Sequence, residues 1–320
     1  MSSYEMHKNI FEQHKKKTIL IIVLVVVLVI LVSSELILEK VFGLGNPVLY
    51  DSSALYGYRP LPNQNLSRFF GAKLRFNNLG LRSEEDWNDR REDKILFLGD
   101  SVTYGGSYIT NKELFSHLAV IGLGGYKSGN AGVNAWGVEN IYGLIVETNF
   151  LPAKIYVTTL PEGDFYRGLN RLQGLPYFNL KPRFAFSELW YFFCYLQSNH
   201  RYLEWTSFAN GEETKYVVRK AVKKLKLMDD YLRQRGFQHL IFITPSLSQV
   251  VKGEPKDPLV KNLLMDYHLT PYYILDELSQ YNLSESERRE LFYDNIHLER
   301  KGHAVWARII RSKLDLIIPH

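Results

Sequence analysis

Thr18 to Val32 reads TILIIVLVVVLVILV, fifteen residues without a charge, and apolar character resumes at Leu36-Ile37-Leu38. Counted through Leu38, the run is about 21 residues, or roughly 31 Å of helix, the thickness of a bilayer's hydrocarbon core. Its β-branched residues do not argue against a helix, because in lipid every backbone amide has to be satisfied internally. A buried core helix would show a polar face, and this run shows none. A cleaved signal peptide is the other alternative, with Val32-Ser33-Ser34 as its cleavage site. The long N-terminal region and the continuation to Leu38 favour a retained anchor. Lys15-Lys16-Lys17 precede the run, so the positive-inside rule leaves residues 1–17 in the cytoplasm. Residues 18–38 then form a single-pass signal anchor, and the rest of the chain is an extracytoplasmic body.

That body is globular by composition. The 320 residues are 46% hydrophobic, 14% aromatic and 23% charged, which excludes a disordered chain. A single cysteine excludes a disulfide scaffold and any cysteine-based zinc or iron–sulfur site. The net charge is only +5, and basic residues are interspersed with acidic ones, so no nucleic-acid partner is expected.

Residues 39–93 are turn-rich, with Gly43, Gly45, Pro47, Pro60 and Pro62. Leu66 to Phe76 and Leu79 to Arg82 read as short strands around an Asn77-Asn78 turn. Phe69, Phe70, Leu74 and Phe76 predict a lead-in packed on the edge of the main domain.

Residues 94–320 alternate strands and helices. Lys94 to Leu98, Ile155 to Leu160 and Leu240 to Thr244 are apolar runs ended by Gly99, Pro161 and Pro245, as buried parallel strands are. Glu213 to Arg235 is an amphipathic helix with Gly236 as its cap, and a last helix covers roughly Gly302 to Leu316. This alternation implies a doubly wound, mostly parallel central sheet covered on both faces. Sites in such sheets lie beyond the carboxyl ends of the strands.

Three segments there carry chemistry. Gly99-Asp100-Ser101-Val102-Thr103-Tyr104-Gly105 follows the first core strand, where a serine can present its hydroxyl beside helix N-terminal amides; the plain reading is a helix cap. Asp294-Asn295-Ile296-His297 precedes the last helix, and an aspartate three residues before a histidine can orient its imidazole toward a nucleophile. Alone, that is a surface turn. Asn130-Ala131-Gly132-Val133-Asn134-Ala135-Trp136-Gly137 is a loop whose amides can approach an oxyanion, or a plain loop.

Together these elements resemble the SGNH/GDSL hydrolase superfamily. Gly99-Asp100-Ser101 is similar to its nucleophile block, Asn130-Ala131-Gly132-Val133 to its second block, and Asp294-x-x-His297 to its last block. Tyr56-Gly57-Tyr58-Arg59-Pro60-Leu61-Pro62-Asn63 and Asn78-Leu79-Gly80-Leu81-Arg82 resemble segments that precede the domain in membrane-anchored relatives. The resemblance implies a three-layer α/β/α fold with a mostly parallel, flavodoxin-like central sheet, and esterase or acyl-transfer chemistry with no metal or organic cofactor. It makes Ser101 the nucleophile, His297 the base and Asp294 the orienting acid, with the Ser101 and Gly132 amides as oxyanion donors. The family's third block reads Gly-x-Asn-Asp, but here Pro161-Glu162-Gly163-Asp164 puts Gly163 where the donor Asn belongs. Gly163 itself and Asn134 are the candidate replacements, and Asp164 is a structural residue.

Residues 165–205 form an aromatic insertion (Tyr166, Tyr177, Phe178, Phe184, Phe186, Trp190, Tyr191, Phe192, Phe193, Tyr195 and, at its end, Trp205). It reads as a helical subcore, or as a lid or sugar-stacking wall over the site or a membrane-resting surface; Cys194 within it is expected to be buried. Arg167 makes a surface salt bridge or meets a carboxylated substrate, and His303 lacks the partners of a metal site. The function expected is an anchored serine esterase acting on an acylated envelope glycan or lipid. The alternatives are a polysaccharide O-acyltransferase, or a glycan- or partner-binding module catalytically weakened at Gly163.

Overall fold

The structure, a computed structural model, describes residues 14–88, 91, 93–169, 178–202 and 212–318. Its first element is helix α1 (Lys15–Lys40), which is longer at both ends than the apolar run. Ile19 to Val32 are exposed all round, and this helix is long and apolar enough to cross a membrane.

Two antiparallel hairpins follow, β1 (Tyr50–Ser53) with β2 (Gly57–Pro60) and β3 (Gln64–Arg68) with β4 (Ala72–Phe76). Leu66 to Phe76 is therefore not one strand. The chain reverses at Phe69–Gly71, where Phe70 has φ +56° and points outward, 80% exposed rather than buried. Asn77 to Gly80 makes a second turn, closed by the Asn77 amide on the Leu81 carbonyl.

Five parallel strands form the main sheet in the order β6–β5–β7–β8–β9: β5 (Lys94–Gly99), β6 (Lys127–Asn130), β7 (Ile155–Pro161), β8 (Gln238–Thr244) and β9 (Tyr272–Tyr273). The lead-in joins its edge, because Arg82 and Asn130 exchange backbone hydrogen bonds at 2.9 and 3.0 Å. Helices in chain order are α2 (Ser101–Tyr104), α3 (Phe115–Leu118), α4 (Val138–Tyr142), α5 (Ala185–Tyr202), α6 (Glu212–Gln234), α7 (Leu247–Lys252), α8 (Pro258–Asp266), α9 (Ile274–Leu278), α10 (Glu285–Arg289) and α11 (Arg300–Leu314).

Alternation along the strands divides the core into two layers. Leu96, Leu98, Tyr156, Ile241 and Ile243 face α4, α6 and α8. Ile95, Phe97, Val157 and Phe242 face α3, α9 and α11. Each fully buried aliphatic or aromatic side chain contributes about 1.5–3 kcal/mol, so a sheet covered on both faces is the stable arrangement of these runs. Gly236, at φ +75°, ends α6 with the Phe237 amide bonded back to the Leu232 carbonyl. Within the insertion, Tyr177 and Trp205 lie outside the described residues. Cys194 is exposed, not buried, because it sits on the outer face of α5.

Candidate active site

The strand order 2-1-3-4-5 has its switch point between β5 and β7, and Ser101 stands at the carboxyl end of β5, where a ligand site is expected. Gly99 makes the turn possible: a Cβ there would lie 2.1 Å from Thr103 Oγ1 and 2.4 Å from the Thr159 carbonyl. Asp100, fully buried, caps α2 by accepting from the Val102 amide at 2.9 Å, which places Ser101 as the first helical residue. A first helical residue has no acceptor for its amide within the helix.

The Asp294–His297 turn meets it from the other side of the chain. Asp294 Oδ1 accepts the amides of Ile296 and His297, both at 2.8 Å, and Oδ2 lies 2.6 Å from His297 Nδ1. His297 Nε2 lies 2.8 Å from Ser101 Oγ. An ionised carboxylate requires a donor, so Nδ1 carries the proton and Nε2 accepts from the serine hydroxyl. Partial burial works to raise the Asp294 pKa, but the amides and imidazole that it accepts from hold it below the usual carboxylate value. The turn is pinned by buried Phe292 and Leu298, and the Leu247 amide donates to the Asn295 carbonyl at 2.8 Å.

Beneath Ser101 lies a charged cluster. Arg167 donates to Asp164 Oδ1 at 2.6 Å, to the Trp136 carbonyl at 2.9 Å and, more weakly, toward Asp100 Oδ2 at 3.4 Å. Burial and then the negative Asp100 raise the Asp164 pKa well above the usual value, with Arg167 opposing. Arg167 is thus engaged with two buried carboxylates instead of a surface partner.

Gly132 lies in the tight loop that follows β6. Its amide donates to Asn130 Oδ1 at 2.8 Å. Its glycine is needed for contact, since a Cβ would lie 2.3 Å from the Tyr104 nitrogen. Asn134 is half-buried, with its carbonyl accepting from Tyr58 Oη at 2.5 Å. Gly163 lies on the exposed turn after β7, where a Cβ would meet nothing within 4 Å.

Other residues around the site carry no motif. Arg82, 2% exposed, donates to Asn111 Oδ1 and to the Tyr104, Gly106 and Ile109 carbonyls, fixing the loop that follows α2. That loop carries Tyr108, stacked 4.6 Å from Tyr293, which is 62% exposed and immediately precedes Asp294. Ala135 has φ +62°, a left-handed conformation that costs a non-glycine residue about 1–2 kcal/mol. Among the described residues, no group of three or more His, Cys, Asp or Glu side chains is placed to hold a metal.

No protein-family model matches the chain, and no curated protein matches it. Solved structures do. The chain is similar to an acetyl xylan esterase at 14% identity, over 69% of this chain and 99% of that one, with a TM-score of 0.44. It is similar to a lipase/acylhydrolase from Enterococcus faecalis at 14% identity, over 72% and 98%, with a TM-score of 0.42. A lipolytic protein of the G-D-S-L family from Veillonella parvula is similar at 13% identity, over 69% and 96%, with a TM-score of 0.37.

Proposed function

We infer that the chain is a membrane-anchored serine esterase of the SGNH/GDSL type, cleaving a short acyl ester on a carbohydrate at the outer face of the membrane. The observation that carries the reading is the Ser101–His297–Asp294 relay, 2.8 Å and 2.6 Å across its two links, at the switch point of the sheet.

In this mechanism His297 Nε2 takes the Ser101 proton as Oγ bonds to the ester carbonyl. The Ser101 amide, unpartnered within its helix, stabilises the oxyanion. Collapse breaks the bond to the sugar oxygen, which leaves with the proton returned by His297, and Ser101 is acylated. Water then gives a proton to His297 and attacks the acyl carbonyl, releasing the acid and restoring Oγ–H. Asp294 stabilises the imidazolium in both halves. These steps require no metal or organic cofactor. The exposed Tyr293 ring, backed by Tyr108, offers a face for a sugar ring beside the acid–base turn.

Hydrolysis is favoured over transfer to a second sugar because the His297 and Asp294 side chains are 28% and 46% exposed, open to water. The exposed apolar run Ile19 to Val32 of α1 supports anchoring, and Lys15-Lys16-Lys17 favour a cytoplasmic N-terminus by the positive-inside rule. Ser101→Ala should lower acetate release from acetylated oligosaccharides, and from an aryl acetate, by about 10⁶-fold with the fold intact. Undiminished turnover would overturn the reading.

A further inference from the structure

We propose that the aromatic outer face of α5, with the Phe70 tip of the β3–β4 hairpin, is seated in the headgroup zone of the bilayer that α1 crosses. The body is then docked on the membrane and does not swing on a tether. The inference rests on the anchor reading above.

The first observation fixes height. Glu35 of α1 accepts the amides of Ala185 at 2.6 Å and Phe186 at 3.1 Å, neutralising the amino end of α5. Glu35 lies three residues short of Leu38, about 4.5 Å along the helix. The first turn of α5 therefore stands at the level where the anchor leaves the hydrocarbon. Within the last ten residues of α1 only Ser34, Glu35 and Leu38 are partly covered, so α5 meets the anchor at that level and does not run down beside it.

Rigidity is the second observation. Glu188, on the next turn of α5, is fully buried and pairs with Arg68 at 2.5 Å. The same carboxylate accepts the Gly45 amide at 2.6 Å, and Arg68 also donates to the Gly43 carbonyl. One buried ion pair thus joins α5, the turn after the anchor and the hairpin. Breaking such a pair leaves a buried charge uncompensated, so the three segments hold one arrangement.

The third observation is what this frame presents outward. Phe186, Leu189, Trp190 and Phe193 recur at three- and four-residue steps and are 39–64% exposed, and Trp190 stacks on Phe193 at 5.8 Å. Phe70, 80% exposed, packs on Phe42 at the end of the anchor. An apolar face of this kind requires a partner. The bilayer is the occupant because the face is continuous with the anchor's own exit point. Aromatic rings are the side chains that settle at headgroup level, and exposed Lys181 and Arg183 flank them, suited to lipid phosphates.

The test uses the full chain in vesicles of phosphatidylcholine and phosphatidylglycerol. A nitroxide is attached to Cys194, the only cysteine in the wild-type chain, and, in a Cys194→Ser background, to Phe186→Cys, Trp190→Cys, Val25→Cys or Leu227→Cys. Variants are used only if they retain aryl acetate hydrolysis. Labels at 186, 190 and 194 should collide several-fold less with an aqueous nickel chelate than the label at 227, while remaining open to oxygen. Equal nickel access at these positions and at 227 overturns the proposal. So does loss of both nickel and oxygen collisions, which would mean that a second copy of the chain covers the face. A nickel-accessible label at 25 would instead overturn the anchor reading itself.

Discussion

The two halves of the candidate site are built differently. The nucleophile half grows out of the core: every residue of β5 is buried, Asp100 is fully enclosed, and Gly99 and Gly132 allow backbone contacts too close for any Cβ. The acid–base half is a surface turn whose flanks are anchored by Phe292 and Leu298 but whose tip is held by the Asp294 hydrogen bonds, its aspartate nearly half exposed. Ser101 is positioned by packing, which the whole domain stabilises, whereas His297 is positioned by one carboxylate three residues away. Damage to the first half should therefore cost stability along with activity, and damage to the second should cost activity alone.

Among changes that leave Ser101 and His297 in place, the largest effect on rate belongs to the turn. Asp294→Asn should lower kcat by up to about 10⁴-fold, the loss seen when the orienting carboxylate of a serine triad is neutralised. The melting temperature should stay within a degree or two of wild type, as surface changes have small effects on stability. A large drop in melting temperature would mean that the turn is part of the cooperative core, and the contrast would fail.

Gly132→Ala tests the opposite half. Its Cβ would press on the backbone of α2, which cannot yield as a side chain does. Overpacking of this kind costs about 1–3 kcal/mol, to be read from denaturant unfolding. Activity should fall with it as Ser101 shifts. An unchanged unfolding midpoint would show that α2 is looser than its contacts imply.

The smallest effect concerns acid. His303 of α11 is buried against Phe115 and accepts that residue's amide, and burial, aided by Arg82, lowers its pKa to about 3. A histidine depressed in the folded state favours folding fully above its unfolded pKa of about 6.5, and that contribution drains away as pH falls toward about 3. The slope is at most about 1.4 kcal/mol per pH unit. His303→Phe should flatten the fall in unfolding free energy between those values. An identical slope in the variant would assign the acid sensitivity elsewhere, with His239 of β8, buried beside Asp229 and likewise lowered by burial, the next group to test.

The same contrast explains what was legible in the sequence. β5, β7 and β8 stand out because strands covered on both faces read as unbroken apolar runs, and Asp294-x-x-His297 stands out because its geometry is local. β6, Lys-Ser-Gly-Asn at 127–130, is polar and carries no strand signal of its own; it forms by pairing with β5, a case of tertiary context overriding propensity. Gly132 is marked by its sequence as special, but whether its amide points to a ligand or to Asn130 depends on the fold. The roles of Arg82 and Tyr293 are likewise set by partners far away in the chain, and Arg167 joins nearby Asp164 to distant Trp136 and Asp100. Cys194 and Phe70 read as buried from their apolar character, but both are exposed, because the face of α5 and the tip of the β3–β4 hairpin that carry them point outward.

The most direct measurement of the central claim is covalent capture of the nucleophile. The full chain is treated with a fluorophosphonate, digested, and the modified residue located by mass spectrometry. A single adduct is expected on Ser101, formed at a rate that collapses in His297→Ala while the protein stays folded. No adduct on the folded chain, or an adduct on another serine formed equally fast without the imidazole, would contradict it.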